Sequence, residues 1–316
     1  MDHSNVRSPE GAGDNASPTL SVTVPAWKQP GVISNHRRRV MKGRIVEVLA
    51  VLCILAVLLP LGDMIYMFAY RGLQVISIPK LTTITVGSAS FVSGGLANAI
   101  AGTALLISLA AAITIPIGVL GGVYMSEFSN DSRLSEGLRF AADIMAGNSS
   151  IVLGYVGYLV FVLYFGWGYS AAAGALTLSI LMFPYVFRTT ELALRKVPAS
   201  IREAAIALGS TKTTMINRLV LRFALPGILT GIILAVGIGL SETAPLLYTA
   251  LFSNYLPSGA LFHEPIGYLT YVVYVYSQLP SNGAHDLAYL SSFLLISAVL
   301  VINVVARVGL RKLSKV

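Results

Sequence analysis

Residues 144–187, IMAGNSSIVLGYVGYLVFVLYFGWGYSAAAGALTLSILMFPYVF, contain no Asp, Glu, Lys or Arg. A helix needs about 20 residues to cross a hydrocarbon core of about 30 Å, so this run is long enough for two crossings. The glycines and aromatic residues of FGWGYS, 165–170, favour a tight interfacial turn between the two crossings. A second charge-free run covers 81–126. Together the runs indicate a helical protein that crosses a membrane several times.

The composition of the whole chain supports this class. Hydrophobic residues make up 55% of the 316 residues and charged residues only 11%, whereas a soluble domain carries about 25% charged residues. Residues 1–36 are predicted as a disordered tail, 37–316 as the transmembrane domain, and the Thr-, Ser- and Gly-rich 81–97 as an outer loop. We therefore predict an all-α membrane protein with six transmembrane helices, at 45–69, 98–123, 143–165, 169–187, 225–249 and 287–307.

Lys and Arg are distributed unevenly between the connections. If the N terminus lies inside the cell, 20 of the 22 fall on inner segments, and only Arg71 and Lys80 lie outside. The positive-inside rule then predicts that both termini and the loop 188–224 are cytosolic and that 250–286 is an outer loop. The net charge of +8 is attributed to membrane insertion, so HRRRVMKGR, 36–44, is interpreted as an anchor at the membrane lipid rather than a nucleic-acid patch.

Few residues offer catalytic or metal-binding chemistry. Cys53 is the single cysteine and lies in an apolar span, which indicates neither a disulfide nor a metal site. All four His residues lie outside the predicted spans, which argues against an intramembrane enzyme. GSTKTT, 209–214, lacks the glycine spacing of a phosphate-binding loop, and no strand precedes it. We expect no enzyme activity, cofactor or metal in this chain.

A carboxylate inside an apolar span is the first candidate for a site. Glu242 lies in GLSETAPLLYTA, 239–250, where a charge costs about 2.5–3.5 kcal/mol on insertion scales. Pro245 removes a helical hydrogen bond to the Ser241 carbonyl, so the helix is predicted to break beside the carboxylate, as helices do at many membrane-protein sites. The alternative is that Glu242 bonds a neighbouring helix or faces an outer vestibule.

Other small and polar residues in the spans have two interpretations. Asn148, Ser149 and Ser150 of GNSSIV, 147–152, either line a hydrophilic path or bond adjacent helices. The Gly-x-x-x-Gly pairs at 118/122 and 227/231 predict close helix packing. The Tyr-rich YLTYVVYVYS, 268–277, suits an interfacial helix or a shallow re-entry.

The stretch REAAIALGSTKTTMINRLVLRFALP, 202–226, is polar and helix-prone in an otherwise apolar chain. Its Ala-rich start favours a helix, Gly209 permits a sharp turn, and STKTTMINRLV can resume a helix that returns to the membrane. Small residues allow close approach of another protein. A solvated amphipathic loop is the alternative interpretation.

Several motifs resemble one family of transport proteins. EAAIALG, 203–209, resembles the EAA motif of ABC-importer permeases, which runs Glu-Ala-Ala, three residues, then Gly. Further stretches are similar to the PstA phosphate permeases, and the resemblance extends over about 94–307. RTTE and SETAPLL are similar to PstA rather than to its sister permease PstC. The other stretches are GGLANAIAGTALLISLAAAITIPIGVLGGVYMSEF (94–128), ADIMAGNSSIVLGYVGYLVF (142–161) and FPYVFRTTELALRKVP (183–198).

The resemblance implies a type I ABC-importer permease fold in a bacterial plasma (inner) membrane. It implies phosphate as substrate, a PstC-like permease partner, two PstB-like ATPase subunits that bind ATP and Mg, and a PstS-like phosphate-binding protein. The substrate path would contain Glu242, Thr243, Arg188, Asn148, Ser149 and Ser150. Arg188 would be a cation on the inner part of this path, or else an interfacial anchor. The coupling contact with the ATPase would use Arg202, Glu203, Ala204, Ala205, Ala207, Gly209, Ser210, Thr211 and Lys212.

The chain departs from the family pattern at three places. Ser149 replaces a proline in the third span, Thr213 and LR, 221–222, replace an aromatic residue and Leu-Pro, and Ile238 replaces an arginine one turn before Glu242. The loss of that arginine leaves open an importer for another oxyanion, sulfate or molybdate. A carboxylate acceptor favours phosphate, because protonated phosphate can donate a hydrogen bond to it and sulfate at neutral pH cannot. The balancing cation is expected from the partner permease.

Overall fold

The protein is described by a computed structural model that covers residues 30–88, 91–129 and 133–313. The chain divides into two compact units, with the boundary after Asp63. The second unit holds the elements that position the candidate site. The helices are α1 (Pro30–Val75), α2 (Ile78–Thr82), α3 (Ala97–Val123), α4 (Arg133–Gly147), α5 (Ser150–Gly157), α6 (Ala171–Arg195), α7 (Ala199–Ala207), α8 (Lys212–Met215), α9 (Leu221–Ser241), α10 (Ala244–Thr249), α11 (Leu269–Tyr271) and α12 (Asn282–Leu313).

Four π-helical segments in the described part of the chain extend or join these helices. A π-helix has one more residue per hydrogen-bonded turn than an α-helix, and such turns are frequent at functional sites. In this chain each follows an α-helix directly, so the helical path continues through it. The segments are Tyr124–Phe128 after α3, Tyr158–Tyr164 after α5, Ile216–Val220 between α8 and α9, and Val272–Tyr276 after α11.

The segment predicted as an outer loop, 81–97, contains a short β-hairpin. Strands β1 (Thr85–Ser88) and β2 (Phe91–Gly94) pair antiparallel, with Thr85 opposite Gly94. The Thr85 hydroxyl donates to the Gly95 carbonyl at 2.7 Å and contacts Oδ1 of the buried Asn98 at 3.1 Å. Within the described residues, the membrane spans are helical, with α-helical and π-helical turns, and a small hairpin precedes α3.

The apolar helices confirm a multi-pass membrane protein. Five helices in the described ranges are long and apolar enough to cross a membrane, and a bent pair makes a sixth. The pair joins Ser135–Gly147 to Ser150–Tyr164 at an angle of 103°. The five single helices are Lys42–Val75, Ala97–Phe128, Ala171–Arg195, Lys212–Ser241 and Asn282–Val308.

Several boundaries differ from the predicted ones. The third span, predicted as 143–165, is bent sharply at Asn148 and Ser149. The helix before the bend and the helix from Ser150 onward therefore run in different directions, 103° apart. The fifth, predicted as 225–249, belongs to a helix that starts at Lys212 and stops at Ser241. Most of the predicted loop 188–224 is helical, as is the predicted tail from Pro30 onward. The rest of that tail lies outside the described residues.

Helix α6 is the centre of the second unit. In its most apolar 18-residue stretch, 67% of the residues are buried. Leu178, Met182 and Val186 of α6 form a core with Leu106 of α3 and Ala235 of α9. Close approach of α3 and α9 to α6 depends on residues without a side chain, as the Gly-x-x-x-Gly pairs predict.

The glycine pairs show how tight this packing is. A Cβ on Gly118 would lie 2.8 Å from Val186, and one on Gly122 would lie 2.6 Å from Thr190. On α9, a Cβ at Gly227 would lie 2.7 Å from the Cβ of Ala193, and one at Gly231 would overlap Thr189. The prediction of close helix packing at both pairs is confirmed.

The Tyr-rich segment 268–277 packs into the second unit. It forms the single turn α11 and the π-helical segment that follows, rather than a long helix. Tyr268 and Tyr276 are buried, and Leu269 and Val272 pack on Leu287 of α12. The tyrosines at the two ends therefore face protein.

Candidate functional site

The helix that carries Glu242 breaks at that residue. Helix α9 ends at Ser241, Glu242 has an extended backbone (φ −75°, ψ 129°), and α10 starts at Ala244 with Pro245 in its first turn. Proline has no N–H to continue the α-helical ladder, so the chain leaves the helix at this point. The carbonyl of Glu242, which lies between α9 and α10, accepts a hydrogen bond from the Thr270 hydroxyl at 2.9 Å. The helix is broken where the sequence predicts, and the Thr270 side chain, from a distant segment, hydrogen-bonds a backbone carbonyl at the break.

A second break lies between α4 and α5. Asn148 and Ser149 are exposed and interrupt the helix at the 103° bend. Ser149 has an extended backbone (φ −64°, ψ 134°), and its side chain does not cap α5. The side chains of Asn148 and Ser149 are therefore available at the bend to hydrogen-bond other groups.

The two breaks contact each other. The Ser150 side chain, in the first turn of α5, lies near the Glu242 carboxylate. One turn further along, a Cβ on Gly154 would lie only 2.6 Å from Cα of Pro245, so α5 and α10 touch through backbone. The structure thus places Ser150 near Glu242, whereas Thr243 and the pair Asn148 and Ser149 adjoin these two residues in the chain.

A cavity of about 930 Å³ opens beside the Glu242 break. Both Ser241 and Thr243, which flank Glu242, line it, and so does Thr270, which holds the Glu242 carbonyl. Helix α12 forms much of the opposite wall. Apolar side chains supply most of the lining, from Phe68, Val273, Leu295, Ile296, Val299, Leu300 and Val304. The polar side chains that line the cavity are Ser241, Thr243, Thr270, Tyr274, Ser277, Ser292, Asn303 and Arg307.

Arg188 lies apart from this cluster. It belongs to α6 beside Thr189, which faces Gly231, and Gly231 is about 16 Å along α9 from Glu242 at 1.5 Å per residue. Arg188 instead donates to Asp143 of α4, with Nη2 2.6 Å from each carboxylate oxygen. Among the described residues, no Lys or Arg forms an ion pair with Glu242.

A buried carboxylate that the sequence did not single out organises the surroundings of Arg188. Glu191 has a side chain only 3% exposed and pairs with Arg188 at 3.3 Å, Arg139 at 2.8 Å and Arg195 at 3.1 Å. The sequence does show Arg188 three residues before Glu191 and Arg195 four residues after it, a spacing that predicts ion pairs on one face of a helix. The contact from Arg139 of α4 comes from the fold alone.

Residues 199–215 form the predicted helix, turn and helix. Helix α7 ends at Ala207, Gly209 has φ +77°, and the Thr211 side chain caps α8. Such a positive φ suits glycine because it lacks a Cβ. Within this segment Ala205 and Met215 are buried and fasten it to the rest of the unit. The exposed members of the predicted coupling set are Glu203, Ala204, Ala207, Gly209, Thr211 and Lys212, and Ser210 is half-buried.

Two apolar side chains on the same segment are strongly exposed. Ile206 is 61% exposed and Leu208 is 86% exposed, although neither was predicted as a contact residue. They interrupt an otherwise polar or small-residue surface.

Arg202 points inward, unlike the exposed members of the set. Its guanidinium donates to Glu127 Oε1 at 2.8 Å and to two carbonyls at the end of α6 and just beyond it, Leu194 at 3.0 Å and Val197 at 2.7 Å. Lys212 lies 4.7 Å from the centre of the Phe128 ring. No cluster of three or more potential metal ligands occurs in the described ranges.

Comparison with known proteins finds the same family by several routes. The profile of the family described as "Binding-protein-dependent transport system inner membrane component" matches residues 114–315. "Phosphate transport system permease protein PstA 2" of Mycobacterium bovis is 40% identical over 284 residues, which cover 90% of this chain and 92% of the relative. "Phosphate transport system permease protein PstA" of Yersinia pestis is 37% identical, covering 85% of this chain and 90% of the relative.

Solved structures agree with the fold. A bacterial ABC transporter that imports the acidic polysaccharide alginate superposes with a TM-score of 0.57 over 87% of this chain and 99% of the other, at 17% identity. An inward-facing MetNI methionine ABC transporter gives a TM-score of 0.55 over 69% of this chain and 95% of the other, at 19% identity. At such identities the likeness supports the permease fold and nothing finer.

Proposed function

Because this chain belongs to the binding-protein-dependent transport system inner membrane components, and within them to the PstA phosphate permeases, we propose that it is the transmembrane permease subunit of an ATP-driven phosphate importer. It forms the phosphate path together with a homologous, PstC-like permease. The chain itself catalyses no reaction. ATP and Mg are bound by two PstB-like ATPase subunits, and a PstS-like binding protein delivers phosphate from outside.

The observation that carries this proposal is the meeting of two helix breaks at a carboxylate. Gly154, one turn beyond Ser150, packs against Pro245 beside Glu242, and Thr243 lines a cavity of about 930 Å³. Interrupted helices lining a cavity expose polar backbone and side chains to a substrate inside the membrane. This is the part of the chain best equipped to handle a polar anion.

Glu242 fits phosphate better than sulfate or molybdate. At neutral pH, phosphate still carries a proton that it can donate to a carboxylate, whereas sulfate offers only acceptors. A sulfate ion beside Glu242 would leave two acceptors facing each other. The cation that offsets the charge of Glu242 comes from the partner permease, since Arg188 is committed to Asp143 and Glu191.

The segment α7–Gly209–α8 is the coupling segment that docks on an ATPase subunit. Its exposed face presents Ile206 and Leu208 beside Glu203 and small alanines, so an apolar groove on the partner can receive it. The excess of Lys and Arg on this side of the membrane supports a cytosolic orientation for the coupling segment and for both termini. The membrane is then the bacterial plasma (inner) membrane.

Reconstitution tests the proposal. The complex of this chain with its partner permease, ATPase subunits and binding protein is placed in proteoliposomes, and uptake of radiolabelled phosphate is measured with and without ATP. ATP-dependent uptake of phosphate, with little uptake of labelled sulfate or molybdate, is expected. Uptake of sulfate or molybdate in preference to phosphate, or uptake independent of ATP, contradicts the proposal.

A further inference from the structure

Arg202 ties the coupling segment to two other helices. It lies in α7, and its guanidinium reaches Glu127 in the π-helical segment after α3 as well as the carbonyls of Leu194 and Val197. The side chain of Glu127 is only 5% exposed and that of Arg202 is 24% exposed. One side chain therefore connects α7 to the end of α3 and to the end of α6.

The chemistry of the contact makes it selective for arginine. A planar guanidinium has donors in fixed directions, so it can satisfy a carboxylate and two carbonyls at once, which a lysine ammonium does less well. The three distances, 2.8, 3.0 and 2.7 Å, are all good hydrogen bonds. Removal of either partner of a buried ion pair leaves the other charge without compensation, so the contact resists separation.

Lys212 is a second cation of the coupling segment, and it contacts Phe128, the residue after Glu127 in the π-helical segment Tyr124–Phe128. Lys212, at the start of α8, lies over the ring of Phe128. Arg202 and Lys212 lie on opposite sides of the turn at Gly209, yet they contact adjacent residues, Glu127 and Phe128. Helices α7 and α8 thus both contact the π-helical segment that follows α3.

The coupling segment has a different connection to the Glu242 break. Helix α8 continues through the π-helical segment Ile216–Val220 into α9, and this continuous helix runs from Lys212 to Ser241, next to Glu242. Displacement of the coupling segment therefore reaches Glu242 through the backbone of α9. The links of the coupling segment to the end of α3 include the Arg202–Glu127 ion pair and the packing of Val119 and Val123 on the cluster that contains Ala205 and Met215.

We propose that Arg202 and Glu127 are positioning residues that make α3 move together with the coupling segment during transport. The inference rests on the proposed function, because it takes α7 as the helix that docks on the ATPase. The ATPase contacts exposed Ile206 of α7 and Leu208 just after it, so α7 moves with the ATPase. The Arg202–Glu127 ion pair then makes α3 move with α7. Helix α3 packs on α6 through Gly118 and Gly122, so the pair links ATP hydrolysis to the core of the permease.

The ratio of phosphate transported to ATP hydrolysed tests this inference, since a residue that merely supports folding would not change it. The variant Glu127→Gln is compared with wild type in the full reconstituted complex. It keeps the size of the side chain and leaves Arg202 bonded to the two carbonyls. The expected result is normal assembly and continued ATP hydrolysis, with roughly a tenfold fall in phosphate transported per ATP, within the range that changes in a coupling network produce.

Two exposed residues provide matched controls. Glu136→Gln makes the same change on α4, and Arg218→Gln removes a cation from the π-helical segment before α9. Both should transport with the wild-type ratio. Arg202→Gln and the double variant Glu127→Gln/Arg202→Gln complete a cycle, and the double should be no worse than Arg202→Gln, because the pair acts as one unit.

The outcomes separate the inference from the proposed function. A wild-type complex without ATP-dependent phosphate uptake overturns the proposed function, and the inference falls with it. A wild-type complex that imports phosphate while Glu127→Gln keeps the wild-type ratio overturns the inference alone. A fall in the ratio that Glu136→Gln shares equally also overturns it, since the effect would then not depend on the ion pair.

Discussion

Arg188 and Asp143 join α6 to α4 through a bidentate ion pair, in which Nη2 lies 2.6 Å from both carboxylate oxygens. The Asp143 side chain is 56% exposed, so solvent has access to this pair and weakens it. An oxyanion offers the same acceptor geometry as a carboxylate and can replace Asp143 as the partner of the guanidinium.

The first prediction separates anchoring from anion handling at Arg188. Arg188→Lys keeps the charge but loses the planar fork, so phosphate uptake should fall several-fold while assembly is kept. Asp143→Asn removes one of the two carboxylates that hold Arg188 and leaves Nε and Nη2 for an anion while Nη1 stays paired with Glu191, so uptake should be kept or increased. Uptake by proteoliposomes measures both. Equal losses in the two variants, or no loss in Arg188→Lys, would show that Arg188 only anchors the helix.

The second prediction concerns the turn at Gly209, where φ is +77°. Gly209→Ala should destabilise the turn by about 1–2 kcal/mol, the cost of a left-handed conformation for a residue with a Cβ. Asn tolerates this region better, so Gly209→Asn should keep more activity. Gly209→Pro should be worst, since proline cannot adopt the positive φ and loses the hydrogen bond that the Gly209 N–H donates to Ile206.

Co-purification of the ATPase subunit and phosphate-dependent ATP hydrolysis measure these variants. Membrane insertion should be unchanged in all of them, which distinguishes a lost coupling contact from a misfolded chain. Gly137→Ala is the control, because a Cβ there meets no atom within 4 Å. Normal ATPase association and hydrolysis in Gly209→Pro would rule out this turn as part of the coupling contact.

The third prediction tests the contact between the two helix breaks. A Cβ on Gly154 would lie 2.6 Å from the backbone of Pro245, so Gly154→Ala forces α5 away from α10. Such overpacking costs about 1–3 kcal/mol, and it should also separate Ser150 from Glu242. Both the thermal stability of the complex and phosphate uptake should fall. Gly237→Ala, where a Cβ meets nothing within 4 Å, should leave both unchanged, and the same result at Gly154 would show that the breaks do not need close contact.

The helix break at Glu242 could be predicted from the sequence because its cause is local. Pro245 removes a hydrogen bond four residues earlier whatever the surroundings, and the break appears at the expected place. The close packing at Gly118 and Gly231 was also visible, since glycines four residues apart lie on one face of a helix.

The ends of the helices could not be predicted in the same way. The charge of Arg188 predicts that the fourth span ends at 187, yet α6 continues to Arg195, because a helix can extend beyond the hydrocarbon core. The sequence does predict that STKTTMINRLV resumes a helix returning to the membrane, and the structure shows that this helix is continuous with the span that ends at Ser241. Long-range pairs such as Arg202 with Glu127 leave no periodic signal in one sequence.

The last prediction concerns Glu242, whose charge has no ion-pair partner among the described residues of this chain. A carboxylate beside a phosphate path should repel the anion, unless it accepts the proton of phosphate or holds an arginine of the partner permease. Glu242→Gln removes the charge and weakens the acceptor, so phosphate uptake should fall about tenfold to a hundredfold, the equivalent of one hydrogen bond to a charged group. Discrimination against sulfate should fall with it, because the amide can donate to sulfate. Glu264→Gln, an exposed carboxylate in the 250–281 segment, should behave as wild type.

Ile238→Arg extends this test, since Ile238 lies on α9 one turn before Glu242 and is only half-buried. An arginine there can approach Glu242 from the same helix and supply the missing cation. We therefore expect Ile238→Arg to be tolerated, with unchanged or stronger competition by phosphate in uptake assays, and to lose any gain when combined with Glu242→Gln. Full uptake by Glu242→Gln with unchanged exclusion of sulfate would reduce Glu242 to a structural contact with Ser150. A gain from Ile238→Arg that persists in the double variant would show that the arginine acts on the anion without Glu242.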